Sequence, residues 1–321
     1  MIRILVERLI QSISILFIMS FVVYGLMGLM PGDPIDLLIS ADPKITSADA
    51  ERLRELYGLH RPLSERYGNW LQAALGGDLG YSRLHAKPVF EVLWPALGNT
   101  IVLLGLAFCL SLVIALPAGI IAASRPYSKT DYAINFAAFA GISTPPFWLA
   151  LLLIIVFAVL WGILPAGGMG TLGQGGLWEN LRFLVLPVIS LTIANVGGQT
   201  RYMRAAMIET LRQDYIRTAR AKGLSKSRVI LGHGLRNALI PVVTIIALDF
   251  GALFSGALIT ETIFAYPGMG RLIFDAIMGN DYNLALLALL LATLVTLLGN
   301  TLADIAYVKL DPRITDKAGP T

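Results

Sequence analysis

Polar residues standing inside otherwise apolar stretches are the first places to look for chemistry in this chain. Asp249 is the only acid deep in such a stretch. A carboxylate in lipid is expensive, so Asp249 is expected to face a bundle interior or an aqueous path. There it is either a local hydrogen-bonding or interface group or a residue that lines the pathway. Asn195 and Gln199 lie four residues apart on one helical face, where their amides bond a neighbouring helix or line a conduit. Glu261 opens the run Glu261-Thr-Ile-Phe264-Ala-Tyr-Pro267-Gly268-Met-Gly270, in which Pro267 and Gly268 specify a defined turn. His60, His85 and His233 are isolated from one another, and the single Cys109 sits in an apolar run where packing is its expected role. No HExxH, GxSxG, His/Cys cluster or GxxxxGK[ST] occurs. The expectation is therefore no catalytic residue, no metal site and no P-loop for a nucleotide.

A second candidate is the basic segment DYIRTARAKGLSKSRVILGHGLRNALIP, residues 214–241, wedged between long apolar stretches. Asp214 is placed to cap a short helix, and Gly223 to close it in the left-handed conformation that other residues resist. Arg220 and Lys222 fall in the last turn, where positive charge suits the helix dipole. Leu211, Tyr215 and Ala219 recur every four residues and suggest an apolar edge. On charge alone the segment is a basic cytoplasmic loop.

The elements that must position these residues span a membrane. Of 321 residues 56% are hydrophobic and only 14% charged, with mean hydropathy +0.70, where a soluble domain carries about a quarter charged residues. A bilayer core of ~30 Å needs roughly 20 apolar residues in helix. Six spans are read: Leu9 to Met30, Gly98 to Ala123, Tyr132 to Trp161, about Phe183 to Thr200, about Ala238 to Thr260, and about Leu284 to Ala303. The third is expected to be one long helix kinked at Pro145-Pro146. In the fifth, Ala247, Gly251 and Ser255 form a small-residue ridge on a different face from Asp249; Ala285, Ala288, Ala292 and Thr296 make a similar strip on the sixth.

Charge bias orients the bundle. Residues 1–8, 124–131, 201–237 and 304–321 hold sixteen Lys/Arg and seven acids. That side is cytoplasmic by the positive-inside rule, so both termini are inside. The chain divides into residues 1–30 (N-terminus and first span), an external helical segment 31–97, and a five-helix core 98–321 carrying the cytoplasmic segment 201–237. In the external segment Thr46 and Asp49 resemble a capping box, Leu53 and Leu56 share a face, and Gly58 offers a stop. A second amphipathic piece runs from Ser64 to Leu75 with Tyr67, Trp70, Leu71 and Ala74 as its stripe. These pieces read as a cap over the outer ends of the spans or as a docking surface for an external partner. Gly162 to Trp178 reads as an irregular external turn.

YIRTARAKGLS followed by HGLRNALIPV resembles the cytoplasmic signature of the dipeptide/oligopeptide/nickel family of ABC-transporter permeases. MPGDP after the first span, GDLGYS in the external segment, GISTPPFWLA in the third span and ETIF-x-x-PGMGRL before the sixth resemble the same family, in order along nearly the whole chain. The N-terminal MPGDP form looks like its B-type subunit. The general importer signature is matched only at Ala219, Gly223 and Leu235, which argues against a maltose-type substrate.

The resemblance implies an all-α, six-span type I importer permease in the bacterial or archaeal cytoplasmic membrane. Its solute would be a dipeptide, an oligopeptide or a related small molecule. It implies a homologous C-type permease, two ABC ATPase subunits that hold ATP and magnesium, and an external solute-binding protein; nucleic acid is not expected. Asp214, Tyr215, Arg217, Thr218, Ala219, Arg220, Ala221, Lys222 and Gly223 would form the coupling helix that seats on an ATPase subunit, small residues such as Ala219 and Ala221 allowing close approach to its groove. Asn195, Gln199, Asp249 and Glu261 are the candidate pathway residues. The rival readings are a stand-alone proton- or cation-coupled secondary transporter using Asp249, and an intramembrane hydrolase, against which the missing nucleophile–base pair counts.

Overall fold

The computed structural model describes residues 2–29, 46–56, 60–170, 176–252 and 257–310. The MPGDP segment, Gly58 and Ser255 fall outside them, as do the side chains of Leu53, Leu56, Ala247 and Asp249 and the surroundings of Gly251. In chain order the helices are α1 (Ile2–Gly28), α2 (Ser47–Leu56), α3 (Leu63–Leu75), α4 (Val89–Ser124), α5 (Lys129–Ser143), α6 (Pro146–Leu153), α7 (Leu177–Leu211), α8 (Asp214–Ala221), α9 (Leu235–Ala252), α10 (Ala257–Ile263), α11 (Met269–Met278) and α12 (Tyr282–Leu310). Two π-helical segments, Ile154–Leu160 and Arg228–Gly234, adjoin α6 and α9. A short antiparallel hairpin pairs β1 (Tyr81–Ser82) with β2 (Lys87–Pro88).

By length and composition α1, α4, α7 and α12 are each able to cross a membrane. The pair α5 and α6 with its π-helical continuation is also apolar enough, but it is bent by 98°, the geometry of a broken span or a re-entrant loop. The expected kink at Pro145-Pro146 is therefore a break. Thr144 and Pro145 are both extended, and Pro146 starts a new helix at a position where its missing N–H costs nothing. The span expected over Ala238 to Thr260 falls on α9 and α10, which flank residues 253–256. The helix of the second span starts nine residues before Gly98; with 36 residues it is ~54 Å long.

The chain forms two compact units: residues 1–99 with 268–294, and residues 100–267 with 295–321. In the first, α3 lays its stripe on α1. Tyr67 is buried among Phe17, Phe21, Tyr24 and Trp70, and its hydroxyl shares a 2.8 Å hydrogen bond with Ser20. Thr46 and Asp49 cap α2 reciprocally: the Asp49 amide donates to Thr46 Oγ1, and the Thr46 amide and hydroxyl donate to the Asp49 carboxylate.

In the second unit the core is built on α7. Leu184, Val188 and Leu191 pack with Leu103, Leu104, Ala107 and Phe108 of α4 and with Tyr266. Met203 and Met207 pack with Ala123, Ala238 and Val242. Glycines let backbones meet. A Cβ on Gly197 of α7 would overlap the Ala138 carbonyl of α5, and one on Gly119 of α4 would stand 2.8 Å from the Thr200 carbonyl.

Candidate functional site

The cytoplasmic segment folds as a short helix on a small apolar base of its own. In α8, Ile216 is 0% and Ala219 5% exposed; they pack with Val229, Leu224 and Leu211. The helix closes as expected at Gly223, whose φ is +76°. The Gly223 amide donates to the Arg220 carbonyl and the Leu224 amide to the Ala219 carbonyl, a Schellman arrangement with Leu224 folded onto the apolar base.

Two details differ from the sequence reading. Asp214 is the first helical residue and not the cap; the cap position is Gln213, which makes no side-chain capping bond. Asp214 instead accepts from Arg217 at 3.2 Å, still placing a carboxylate in the first turn where the dipole favours it. Tyr215 is 43% exposed, because Ile216 supplies the buried position beside Ala219 on the three-residue helical repeat. Ala219 therefore belongs to the segment's own base. The outward surface is Asp214, Tyr215, Arg217, Thr218, Arg220, Ala221, Lys222 and Gly223.

The π-helical turn Arg228–Gly234 then leads into α9. Gly234 packs closely there, where a Cβ would stand 3.0 Å from Leu211 Cδ2 and 3.4 Å from Met207 Cε. Both ends of the segment are thus packed onto the last turns of α7.

A buried ion pair stands just above this base, and sequence reasoning missed it. Asp131, 2% exposed, accepts from Arg204 Nε at 2.6 Å and from Arg204 Nη2 at 2.7 Å. The same carboxylate accepts from Asn135 Nδ2 at 2.7 Å and from the Tyr127 amide at 2.8 Å. Every acceptor direction of the carboxylate is filled, which is the condition under which a buried carboxylate is tolerated. Tyr127 is held at φ +64°, so the carboxylate fixes the loop between α4 and α5 while binding α7. The available signal was Ser128-x-x-Asp131 before an apolar run; Ser128 does cap α5 through the Asp131 amide.

Among the candidate pathway residues, the described side chains of Gln199, Asn195 and Glu261 each bond to a different partner. Gln199 is buried and accepts from Ser111 of α4 at 2.8 Å. Asn195 is half-buried and donates to the Leu191 carbonyl one turn back in its own helix. Glu261 is 0% exposed in α10, where Thr100 donates to its carboxylate at 2.6 Å. Asp249 lies in α9. The defined turn after Glu261 is present: Phe264 to Gly268 joins α10 to α11, with Ala265 at φ +49°. Gly168 donates to the Phe264 carbonyl at 2.7 Å, and no Cβ fits at Gly167 against that same carbonyl. Burial, with the Glu261 carboxylate nearby, pushes the Tyr266 phenol up to about 12. Cys109, expected in packing, is exposed on the surface of α4. His60 pairs with Glu51 at 3.3 Å, and among the described residues no group of His, Cys, Asp and Glu could hold a metal ion.

In the first unit the GDLGYS hairpin meets the turn after α11. Asp281 accepts from Ser82 Oγ at 2.7 Å, from the Leu84 amide at 3.0 Å and from the Leu284 amide at 3.3 Å. Arg83 donates to the Gly279 carbonyl. Gly80, at φ +77°, lets the hairpin approach Asn283, where a Cβ would stand 2.8 Å from Nδ2.

Known proteins resemble this chain along nearly its whole length. The oligopeptide transport system permease protein AppB of Bacillus subtilis is 40% identical over 312 residues, 97% of this chain and 98% of that one. The dipeptide transport system permease protein DppB of Alkalihalophilus pseudofirmus is 37% identical, covering 96% and 98%. The glutathione transport system permease protein GsiC of Escherichia coli K12 is 35% identical, covering 99% and 100%. Among solved structures, an inward-facing conformation of the MetNI methionine ABC transporter superposes with a TM-score of 0.58 over 70% of this chain and 98% of that one, at 17% identity, a likeness of fold. Residues 1–104 match the N-terminal family of binding-protein-dependent transport system membrane components. With residues 115–316 matching the family's main region, this chain belongs to the binding-protein-dependent transport system inner membrane components, a permease of the ABC-transporter type.

Proposed function

We propose that this chain forms half of the translocation pathway of an ATP-driven importer for peptides or related small solutes. In this reading α8, with Lys222 and Gly223, seats in a groove on an ATPase subunit. The observation that carries it is a short, closed helix standing on its own apolar base between α7 and α9, with Tyr215, Arg217, Thr218, Arg220, Ala221 and Lys222 turned outward. A compact helix packed at both ends onto spans transmits a push from a partner with little loss. The peptide class rests on the full-length likeness to permeases named for oligopeptides, dipeptides and glutathione.

ATP and magnesium belong to two partner ATPase subunits, because no phosphate-cradling motif occurs in this sequence. A C-type permease completes the pathway and an external binding protein delivers the solute. Asn195, Gln199, Asp249 and Glu261 take different parts in this reading. Asn195 and Asp249 stay candidates for solute contact, whereas Gln199 and Glu261 hold helices together through Ser111 and Thr100.

The test is purification of the assembled transporter, with ATP-dependent peptide uptake measured in vesicles. Co-purifying ATPase subunits and uptake abolished by Ala221→Glu, with insertion intact, are the expected results. Uptake by this chain alone on a proton gradient would overturn the reading.

A further inference from the structure

Residues 125–128 join α4 to α5 as a closed turn, the Ser128 amide donating to the Arg125 carbonyl at 3.3 Å. Pro126 stands at its second position and Tyr127 at its third, where φ is +64°. A turn with proline followed by a positive φ ordinarily carries glycine or asparagine at that third position. A bulky tyrosine resists the conformation, and here it is imposed. The Tyr127 amide donates to the Asp131 carboxylate at 2.8 Å, and Arg204 grips the same carboxylate from α7. The ring gains no burial in exchange. Tyr127 is 72% exposed, with Arg125 and Lys129 exposed on either side of it and in no ion pair among the described residues. Tyrosine and arginine are residue types that often anchor protein interfaces, and this turn presents both in a fixed shape.

The turn is a neighbour of α8. Arg204, which grips its carboxylate, and Leu211, which packs in the base under α8, lie seven residues apart on α7. Seven residues are two turns, so the two share one face within about 20° and stand ~10 Å apart along the axis. Charge bias assigns residues 124–131 and 201–237 to the same cytoplasmic side. Alone, α8 is too small for a specific interface. Its eight residues extend ~12 Å, whereas a stable interface takes about 20–30 residues from each partner. A subunit that grips α8 therefore spreads over the cytoplasmic surface around it, and the turn is a rigid part of that surface.

We propose, on the reading that α8 seats on an ATPase subunit, that the turn of residues 125–128 is a second docking point for that same subunit. The Tyr127 ring is its anchor, and Arg125 and Lys129 meet acidic groups of the partner. Anionic headgroups also attract cations at this level, but a fluid lipid surface needs no preset shape. A turn held against its own preference suits a protein partner, whose binding costs less when the contact is already rigid.

The test uses the assembled transporter in nanodiscs containing phosphatidylglycerol, with the photo-cross-linker p-benzoylphenylalanine in place of Tyr127 or of Tyr215. An adduct with an ATPase subunit is expected from both positions. An adduct from position 215 without one from position 127 overturns this proposal alone. No adduct from either overturns the α8 reading as well. An adduct of position 127 with phospholipid in place of the ATPase assigns the turn to the membrane surface and also overturns it. A second variant separates docking from folding. Glycine suits φ +64°, so Tyr127→Gly is tolerated by a turn whose role is only structural. Retention of the ATPase subunits is expected to weaken about tenfold in Tyr127→Gly, with thermal unfolding of the permease unchanged, and Tyr127→Phe is expected to keep most of it. Unchanged retention in Tyr127→Gly overturns the proposal.

Discussion

At Asp281 a single carboxylate takes donors from Ser82, Leu84 and Leu284, so the Ser82 hydroxyl and the Leu84 amide of the hairpin are turned inward while His85 and Lys87 stay exposed. At α8 the arrangement is reversed. An apolar base of Ile216, Ala219, Val229 and Leu224 holds the helix, and Arg220 and Lys222 project with no ion pair among the described residues. The first region is closed by polar bonds that a partner cannot share. The second is held by contacts that leave its charges available. A surface that must engage another protein repeatedly needs the second design, because burying apolar groups underneath requires no exposed donor or acceptor.

Four measurements break or sharpen that contrast. The largest expected effect is at Ala219→Glu, which forces an unpaired carboxylate into the base beside Ile216 and Val229. A loss of about 3–5 kcal/mol is expected, read as thermal unfolding of the purified complex. The neighbouring exposed variant, Ala221→Glu, should stay within about 0.5 kcal/mol of wild type yet lose ATPase stimulation. Equal stability of the two variants would erase the distinction between base and surface.

Next is Asp281→Ala, which leaves three donors without their acceptor and is expected to cost about 1–3 kcal/mol. Asp281→Asn, keeping one acceptor oxygen, should lose less, and hydrogen exchange at Leu84 would show which bond survives. A smaller loss, about 1 kcal/mol, is expected for Gly223→Ala, since φ +76° strains any side chain while open space surrounds the position. A larger loss there would mean that Gly223 itself is packed.

The smallest effect is a pH step at α2. Hydrogen bonds from Thr46 hold the Asp49 carboxyl below the usual carboxylate range, and Asp49 is fully exposed. A folded pKa lower than the unfolded one stabilises the helix above the unfolded value and is lost as pH falls through the folded one. Normalised exchange protection at the Asp49 amide should therefore fall below about pH 4, and Thr46→Ala should remove the step.

Much of this was legible in the sequence for definite reasons. Gly223 announced a left-handed closure because few other residues tolerate it, and Pro145-Pro146 announced an interruption because neither residue donates to the helix before it, although the reading was a kink and the structure has a break. Thr46-x-x-Asp49 announced a cap by spacing alone. Long-range pairs were not legible. Asp131 and Arg204 lie 73 residues apart, and Ser82 and Asp281 lie 199 apart. No local pattern fixes such a pairing, since each depends on how helices cross. The face of α8 was misread at Tyr215 because an aromatic and an isoleucine, Ile216, stand side by side and both suit an apolar stripe. Over eight residues there is too little repeat to choose between them.

One feature of the spans has a mechanical consequence. Gly197 meets the Ala138 carbonyl, and Gly141 lies so near the Ile193 carbonyl that a Cβ would stand 3.0 Å away. Side-chain contacts give way by changing rotamer, as a gear with loose teeth turns some distance before it drives its neighbour. A backbone pressed against a backbone has no rotamer to change. Between α5 and α7 there is therefore little room for play where these backbones touch.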